Sequence, residues 1–170
     1  MGDPVATMIF CEGLKLTFSS PPPLSLTVPP DVRTNPTQTN RILPMLPEWL
    51  DKGYVREILT PEPLFFSRMF TVPKPEKGVF RPIIDLSVLN TYLVVPKFKM
   101  DTMPKIVRSI CPGMWGTKID LDNAYYSVAM APAFHKYLAF TLGHRVFVFQ
   151  VLPFGLAIAP WAFTRVLKPI

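Results

Sequence analysis

The stretch Lys118-Ile119-Asp120-Leu121-Asp122-Asn123-Ala124-Tyr125-Tyr126 organises the reading of this chain. Two carboxylates sit two residues apart at the end of a short apolar run, and a pair of tyrosines follows at once. On an extended strand, residues i and i+2 share a face, so Asp120 and Asp122 point the same way while Ile119 and Leu121 turn toward a core. Paired carboxylates suit a hard divalent cation such as Mg²⁺, which takes oxygen ligands. A second reading stands beside this one: Asp122 caps a helix that begins at Asn123, and Asp120 is an ordinary strand end.

The composition bounds what such a stretch can belong to. A chain of 170 residues is long enough for one full domain or parts of two. Hydrophobic residues make up 49%, which supports a packed core and excludes disorder throughout. The formal charge of +6 and a pI near 9.5 favour an anionic partner such as nucleic acid. Cys11 and Cys111 form no disulfide framework, and His135 and His144 lie too far from them for a zinc site. No apolar run has the length to span a membrane. The N-terminus lacks a signal peptide's basic region and apolar core, and Ala6 stands where a myristoylation motif needs Ser or Thr. An intracellular setting, cytoplasm or nucleus, is expected, with no membrane partner.

Proline punctuates the chain, with 21 in all and a dense group at positions 21, 22, 23, 29, 30 and 36. Residues 1–40 therefore read as a Pro-rich extension lying on the surface of something larger. Leu14 to Phe18 is its short strand-like piece, and Thr34 to Asn40 is a polar stretch. From there an α+β pattern with antiparallel hairpins is predicted. A helix runs from Leu43 to about Lys52, with Leu46, Trp49 and Leu50 on its apolar face and Gly53 as its stop. Tyr54 to Leu59 is a strand. Phe65 to Val72 and Val79 to Leu86 form a hairpin about the turn Pro75-Glu76-Lys77-Gly78, and Pro82 makes the return strand an edge or a bulge.

Lys74, Lys77 and Arg81 cluster near that turn, either as a solvated charged loop or as a basic clamp over phosphates. Met100 to Ile110 reads as a helix capped by Asp101 or Thr102, with the stripe Met103, Ile106, Val107 and Ile110 assigned to the core. Trp115 to Leu121 is the strand that delivers Asp120. A helical turn covers Ala131 to Lys136. A second hairpin joins Tyr137–Leu142 to Arg145–Val151 through Gly143-His144. Leu152-Pro153-Phe154-Gly155-Leu156 then opens a helix from about Ala157 to Lys168, whose apolar face is Phe163, Val166 and Leu167.

Three blocks thus occur in order: Arg81-Pro82-Ile83-Ile84-Asp85-Leu86-Ser87-Val88-Leu89-Asn90, then Asp120-Leu121-Asp122-Asn123-Ala124-Tyr125, then Leu152-Pro153-Phe154-Gly155. Their succession resembles the reverse transcriptases of retroelements. It is similar to the gypsy-like long-terminal-repeat group and, most of all, to the DIRS-type retrotransposons. The resemblance covers residues 41 to 170. It implies a right-hand polymerase-like α+β fold, fingers-like at 41–95 and 128–153, with an incomplete palm at 96–127 and 154–170.

The implied function is that of a fragment of an RNA-directed DNA polymerase, which uses an RNA template, a DNA primer, dNTPs and two-metal nucleotidyl transfer. By resemblance, Asp120 is the catalytic aspartate and a metal ligand, and Leu121 offers its backbone carbonyl to a metal. Lys74 and Arg81 hold the incoming triphosphate. Tyr125 is the gate that occupies the place of a ribonucleotide's 2′-hydroxyl. Phe154 and Gly155 pack against nucleotide and template, and Asp85 has a structural role, pairing with a neighbouring basic side chain.

The sequence also departs from the family. The second metal-binding motif, Tyr-x-Asp-Asp, appears nowhere, and Asp122 does not replace it because it lies on the same strand as Asp120. Two Mg²⁺ ions are expected in a complete enzyme but not full binding of both here, and these 170 residues alone are expected to give no primer extension. An incomplete palm would leave an apolar face open to self-association or to a completing chain. The alternative is a non-catalytic, truncated or domesticated retroelement remnant that binds nucleic acid through its basic face.

Overall fold

The computed structural model describes residues 3–75, 78–100, 102–117, 121 and 123–167. Short helices and antiparallel strands follow one another as α1 (Pro4–Glu12), α2 (Pro36–Ile42), α3 (Leu46–Asp51), β1 (Val55–Ile58), β2 (Arg68–Pro73), β3 (Phe80–Asp85), α4 (Ser87–Asn90), α5 (Met103–Ser109), β4 (Ala139–Leu142), β5 (Arg145–Phe149) and α6 (Ala159–Leu167). The α+β class expected from the sequence is the one observed.

The central sheet has the order β1-β5-β4, antiparallel throughout, with Val55 opposite Phe149 and Ala139 opposite Val148. Its aromatic residues make the core. Phe140 stacks on Phe147 at 5.7 Å and lies 5.1 Å from Phe149, and all three are fully buried. Trp49 of α3 closes the cluster 6.0 Å from Phe149. The β4–β5 turn is the expected two-residue Gly143-His144, with Gly143 at φ 63°.

Across β1 and β5, Arg145 grips Glu57 with two hydrogen bonds, Nε to Oε1 at 2.7 Å and Nη2 to Oε2 at 2.6 Å. These bonds hold the Glu57 carboxyl below the ordinary glutamate value of 4.5. The folded carboxylate therefore takes up protons less readily than the unfolded one. Its stabilisation is present above the unfolded pKa and is lost as pH falls through the folded value. The melting-temperature gap between the wild type and Arg145→Met is expected to shrink as pH drops below 4.5. A gap that stays constant down to pH 2.5 would contradict this.

The β2–β3 hairpin stands as a separate two-stranded sheet. Its register pairs Thr71 with Pro82 and Pro73 with Phe80. Lys74 N–H donates to Val79 O at 2.9 Å, so hydrogen-bonded pairs alternate from that point. Pro73 and Pro82 both fall on the non-bonded pairs, where a missing N–H costs the ladder nothing. Of the two readings offered for Pro82, edge strand or bulge, the edge holds.

Several helical expectations need correction. The 1–40 stretch contains α1, started by Asp3, whose Oδ1 accepts from Val5 N–H at 2.9 Å, with Pro4 at the first helical position. Asp3 also pairs with Arg165 of α6 at 3.0 Å. Gly13 ends α1 at φ 80°, and a Cβ there would sit 2.6 Å from the Ala131 nitrogen, so only glycine lets the chain pass. Leu14 then bridges to Met130, and Ile9, Leu14 and Leu16 are buried with the main core. The polar stretch after Thr34 forms α2, capped by Asn35 Oδ1 accepting from Gln38 N–H at 2.9 Å.

The stripe assigned to the core on α5 faces solvent instead: Met103, Ile106, Val107 and Ile110 are all exposed. An amphipathic pattern says which face is apolar but not what covers it. Leu50 and Leu167 are likewise exposed, because α3 buries Leu46 and Trp49 while α6 buries Ala159 and Ala162. Of the strand expected at 115–121, Trp115, Gly116, Thr117 and Leu121 carry no strand pairing, and the rest lies outside the described residues.

Candidate active site

A cleft of about 500 Å³ opens beside the β2–β3 hairpin. The hairpin contributes Lys74, just past the end of β2, and Phe80, Arg81 and Pro82 from β3. Tyr54, Tyr126 and Phe154 from other parts of the chain also line it. Among the described residues neither Lys74 nor Arg81 has an acidic partner, while Glu48 at the same cleft is engaged by Lys52 at 2.6 Å. The cleft thus presents two cations and a wall of rings, which suits an anionic ligand with a planar group.

The aromatic wall is set by a sharp local turn. Asn123 adopts the left-handed conformation at φ 49°, which asparagine tolerates better than most residues, and begins a 3₁₀ turn over Ala124–Ser127. With three residues per turn, neighbouring side chains point about 120° apart, so Tyr125 and Tyr126 part company. Tyr126 faces the cleft, 4.8 Å from the Tyr54 ring and 5.8 Å from Phe154. Burial, reinforced by Tyr54, pushes its phenol pKa up to about 12. Tyr125 packs between Phe154 at 4.9 Å and Phe163 at 5.3 Å.

Phe154 and Gly155 are held by Asn90, at the end of the first sequence block. Asn90 Nδ2 donates to Gly155 O at 2.8 Å, and its Oδ1 accepts from Ala157 N–H at 2.8 Å. Gly155 lies at φ 95°, and a Cβ there would approach Ile84 O at 3.3 Å. Asn90 therefore ties the loop before α6 to α4, the short helix that follows the hairpin. At the hairpin's base, Asp85 Oδ1 accepts from Ser87 Oγ at 2.6 Å and from Ser87 N–H at 3.2 Å. These bonds, with Arg68 opposite, keep the Asp85 carboxyl below its usual value.

The structure thus gathers Lys74, Arg81 and Phe154 at one cleft, with Gly155 and Tyr125 beside Phe154. Leu121 is exposed and does not line it. Asp120, Asp122 and Lys77 lie outside the described residues. Among the described residues no group of three or more His, Cys, Asp or Glu side chains gathers to hold a metal. The described donors therefore do not amount to a Mg²⁺ set, and the carboxylate expected for that task is Asp120. Sequence reasoning missed Tyr126, which differs from Tyr125 only by one step around a turn. It also missed Asn90 as a clamp, although Asn90 closes the Arg81–Asn90 block.

An α+β domain with a basic hairpin set against an aromatic wall is the class that fold and cleft define. Residues 72–170 match the family described as reverse transcriptase (RNA-dependent DNA polymerase). The chain belongs to that family. Among curated proteins it is 29% identical over 123 residues to the transposon Tf2-7 and Tf2-8 polyproteins of Schizosaccharomyces pombe, covering 71% of this chain and 9% of each polyprotein. The chain thus spans about a tenth of the length of the curated relatives it matches. Among solved structures it resembles the prototype foamy virus protease-reverse transcriptase, at a TM-score of 0.67 and 22% identity, covering 87% of this chain and 19% of that one. The foamy viral protease-reverse transcriptase in complex with dsDNA gives a TM-score of 0.62 at 19% identity, over 90% of this chain and 28% of that chain. At such identities the likeness establishes the shared fold. Among the described residues no helix is long and apolar enough to cross a membrane.

Proposed function

We propose that this chain carries the incoming-nucleotide site of an RNA-directed DNA polymerase, with an RNA template, a DNA primer and dNTPs as its substrates. The observation that carries the reading is the cleft itself, whose lining brings Lys74 and Arg81 together with Tyr126 and Phe154. Lys74 and Arg81 spread the charge of a triphosphate, and Phe154 with Gly155 supports base and template. Tyr125, which packs on Phe154 and Phe163 beside the cleft lining and not within it, is assigned the sugar gate on the family resemblance. Asp120 and the Leu121 carbonyl are assigned to Mg²⁺, whose chemistry is to neutralise charge on the reacting phosphates. The division proposed is fingers-like at 41–95 and 128–153 and partial palm at 96–127 and 154–170, with residues 1–40 as a Pro-rich extension.

Binding to an RNA–DNA hybrid tests the reading. Counterion release makes the logarithm of affinity fall linearly with the logarithm of salt, by about 0.9 per phosphate neutralised. A clear negative slope between low and physiological salt is expected, and an affinity indifferent to salt would contradict the reading. Self-association, or docking of a completing chain, is also proposed, supported by the exposed run Met103, Ile106, Val107, Ile110, Met114 and Trp115. Sedimentation should show mass rising with concentration, whereas a monomer at every concentration that is unaffected by Met103→Glu would argue against self-association.

A further inference from the structure

Among the described residues the hairpin that bears Lys74 and Arg81 has two strands, and such a unit is marginal alone in water. Its pose therefore depends on what meets its edges. Bonded pairs alternate from Lys74–Val79, so the Thr71 N–H points away from β3, toward the open edge of β2. There Gln38 of α2 receives it: Thr71 N–H and Thr71 Oγ–H both donate to Gln38 Oε1, each at 2.7 Å. One helical turn on, the Arg41 guanidinium lies 4.2 Å from the centroid of the Phe80 ring on β3. Ile42, wholly buried, fixes α2 to the main core.

Both strands of the hairpin are thus held by one short helix, at points adjoining the two cations. Thr71 precedes Lys74 by three residues, and Phe80 precedes Arg81 by one. We infer that Gln38 and Arg41 are positioning residues, and that α2 is a brace presetting Lys74 and Arg81 toward the Tyr126–Phe154 wall. A preset pose reduces the ordering cost of binding a polyanion, so the brace sets affinity without touching the ligand. Its consequence for nucleotide binding rests on the triphosphate reading of the cleft, whereas the brace itself rests on the Thr71 and Phe80 contacts alone.

Two variants of similar size separate hydrogen bonding from packing. Gln38→Met removes the acceptor, whereas Gln38→Glu retains oxygens for both donors. In the full chain, amide hydrogen exchange at Thr71 and the affinity for dTTP are measured for each, with Arg41→Leu as a third variant. The brace predicts Thr71 exchange faster by about tenfold or more in Gln38→Met, because a buried N–H loses its partner. It predicts dTTP binding weakened severalfold in Gln38→Met and Arg41→Leu, and both readouts restored in Gln38→Glu. Thr71 exchange unchanged in Gln38→Met would overturn the brace, and so would Gln38→Glu exchanging as fast as Gln38→Met. Wild-type protein that binds no dTTP would instead sink the triphosphate reading, with the exchange result still deciding the brace.

Discussion

Phe140→Ala is expected to remove a large share of the domain's stability. Phe140 is fully buried at the centre of β4, stacked on Phe147 and packed against Phe149, which in turn meets Trp49 and Tyr126. Truncating a core phenylalanine costs about 3–5 kcal/mol, through lost transfer energy and the cavity left behind. Domains of this size retain a net stability of about 5–15 kcal/mol, so the loss is a large fraction of the total. Little is available to close the cavity, because the neighbouring rings belong to strands fixed by ladder hydrogen bonds. Urea unfolding followed by circular dichroism should show the midpoint collapsing. A loss below about 1 kcal/mol, the scale of a surface change, would mean that the aromatic cluster is not the core.

The second large effect falls on binding. Removing both cations, in Lys74→Ala with Arg81→Ala, is expected to abolish measurable dTTP affinity. Hydrogen bonds to charged groups contribute about 1.5–3 kcal/mol each, so every lost cation costs roughly tenfold or more in the dissociation constant. Stability should hardly change, because Lys74 is half-buried, Arg81 is exposed, and among the described residues neither has an ionic partner. Calorimetric titration checks the first point and thermal melting the second. Unaltered affinity in the double variant would remove these residues from the triphosphate role.

Hairpins were the most legible part of the fold. Gly143-His144 joins antiparallel strands as expected, and the two β-rich runs on either side of residues 75–78 pair antiparallel. The helices were less legible because they are short. At α1, Asp3 and Pro4 carry a valid start signal, but the dense prolines downstream hide a nine-residue helix whose worth comes from burying Ala6 and Ile9. The α5 stripe was misassigned because periodicity identifies an apolar face and says nothing of its cover.

At the site, chain order brought Lys74, Arg81, Phe154 and Gly155 into view as one set, because the resemblance fixes their succession. Tyr126 escaped it, since one residue's difference around a 3₁₀ turn is decided by the left-handed Asn123 and not by spacing. Gln38 escaped too. A glutamine in a polar stretch has no sequence mark showing that its side chain completes the edge of a strand 33 residues away.

The measurement that bears most directly on the central claim is a map of where dTTP lands, by backbone amide chemical-shift changes during titration. The account predicts perturbations concentrated at Lys74, Phe80, Arg81, Tyr126 and Phe154, which share the cleft. A response centred instead on a separate cleft lined by Arg33, Thr34 and His144, or no response at millimolar dTTP, would contradict it.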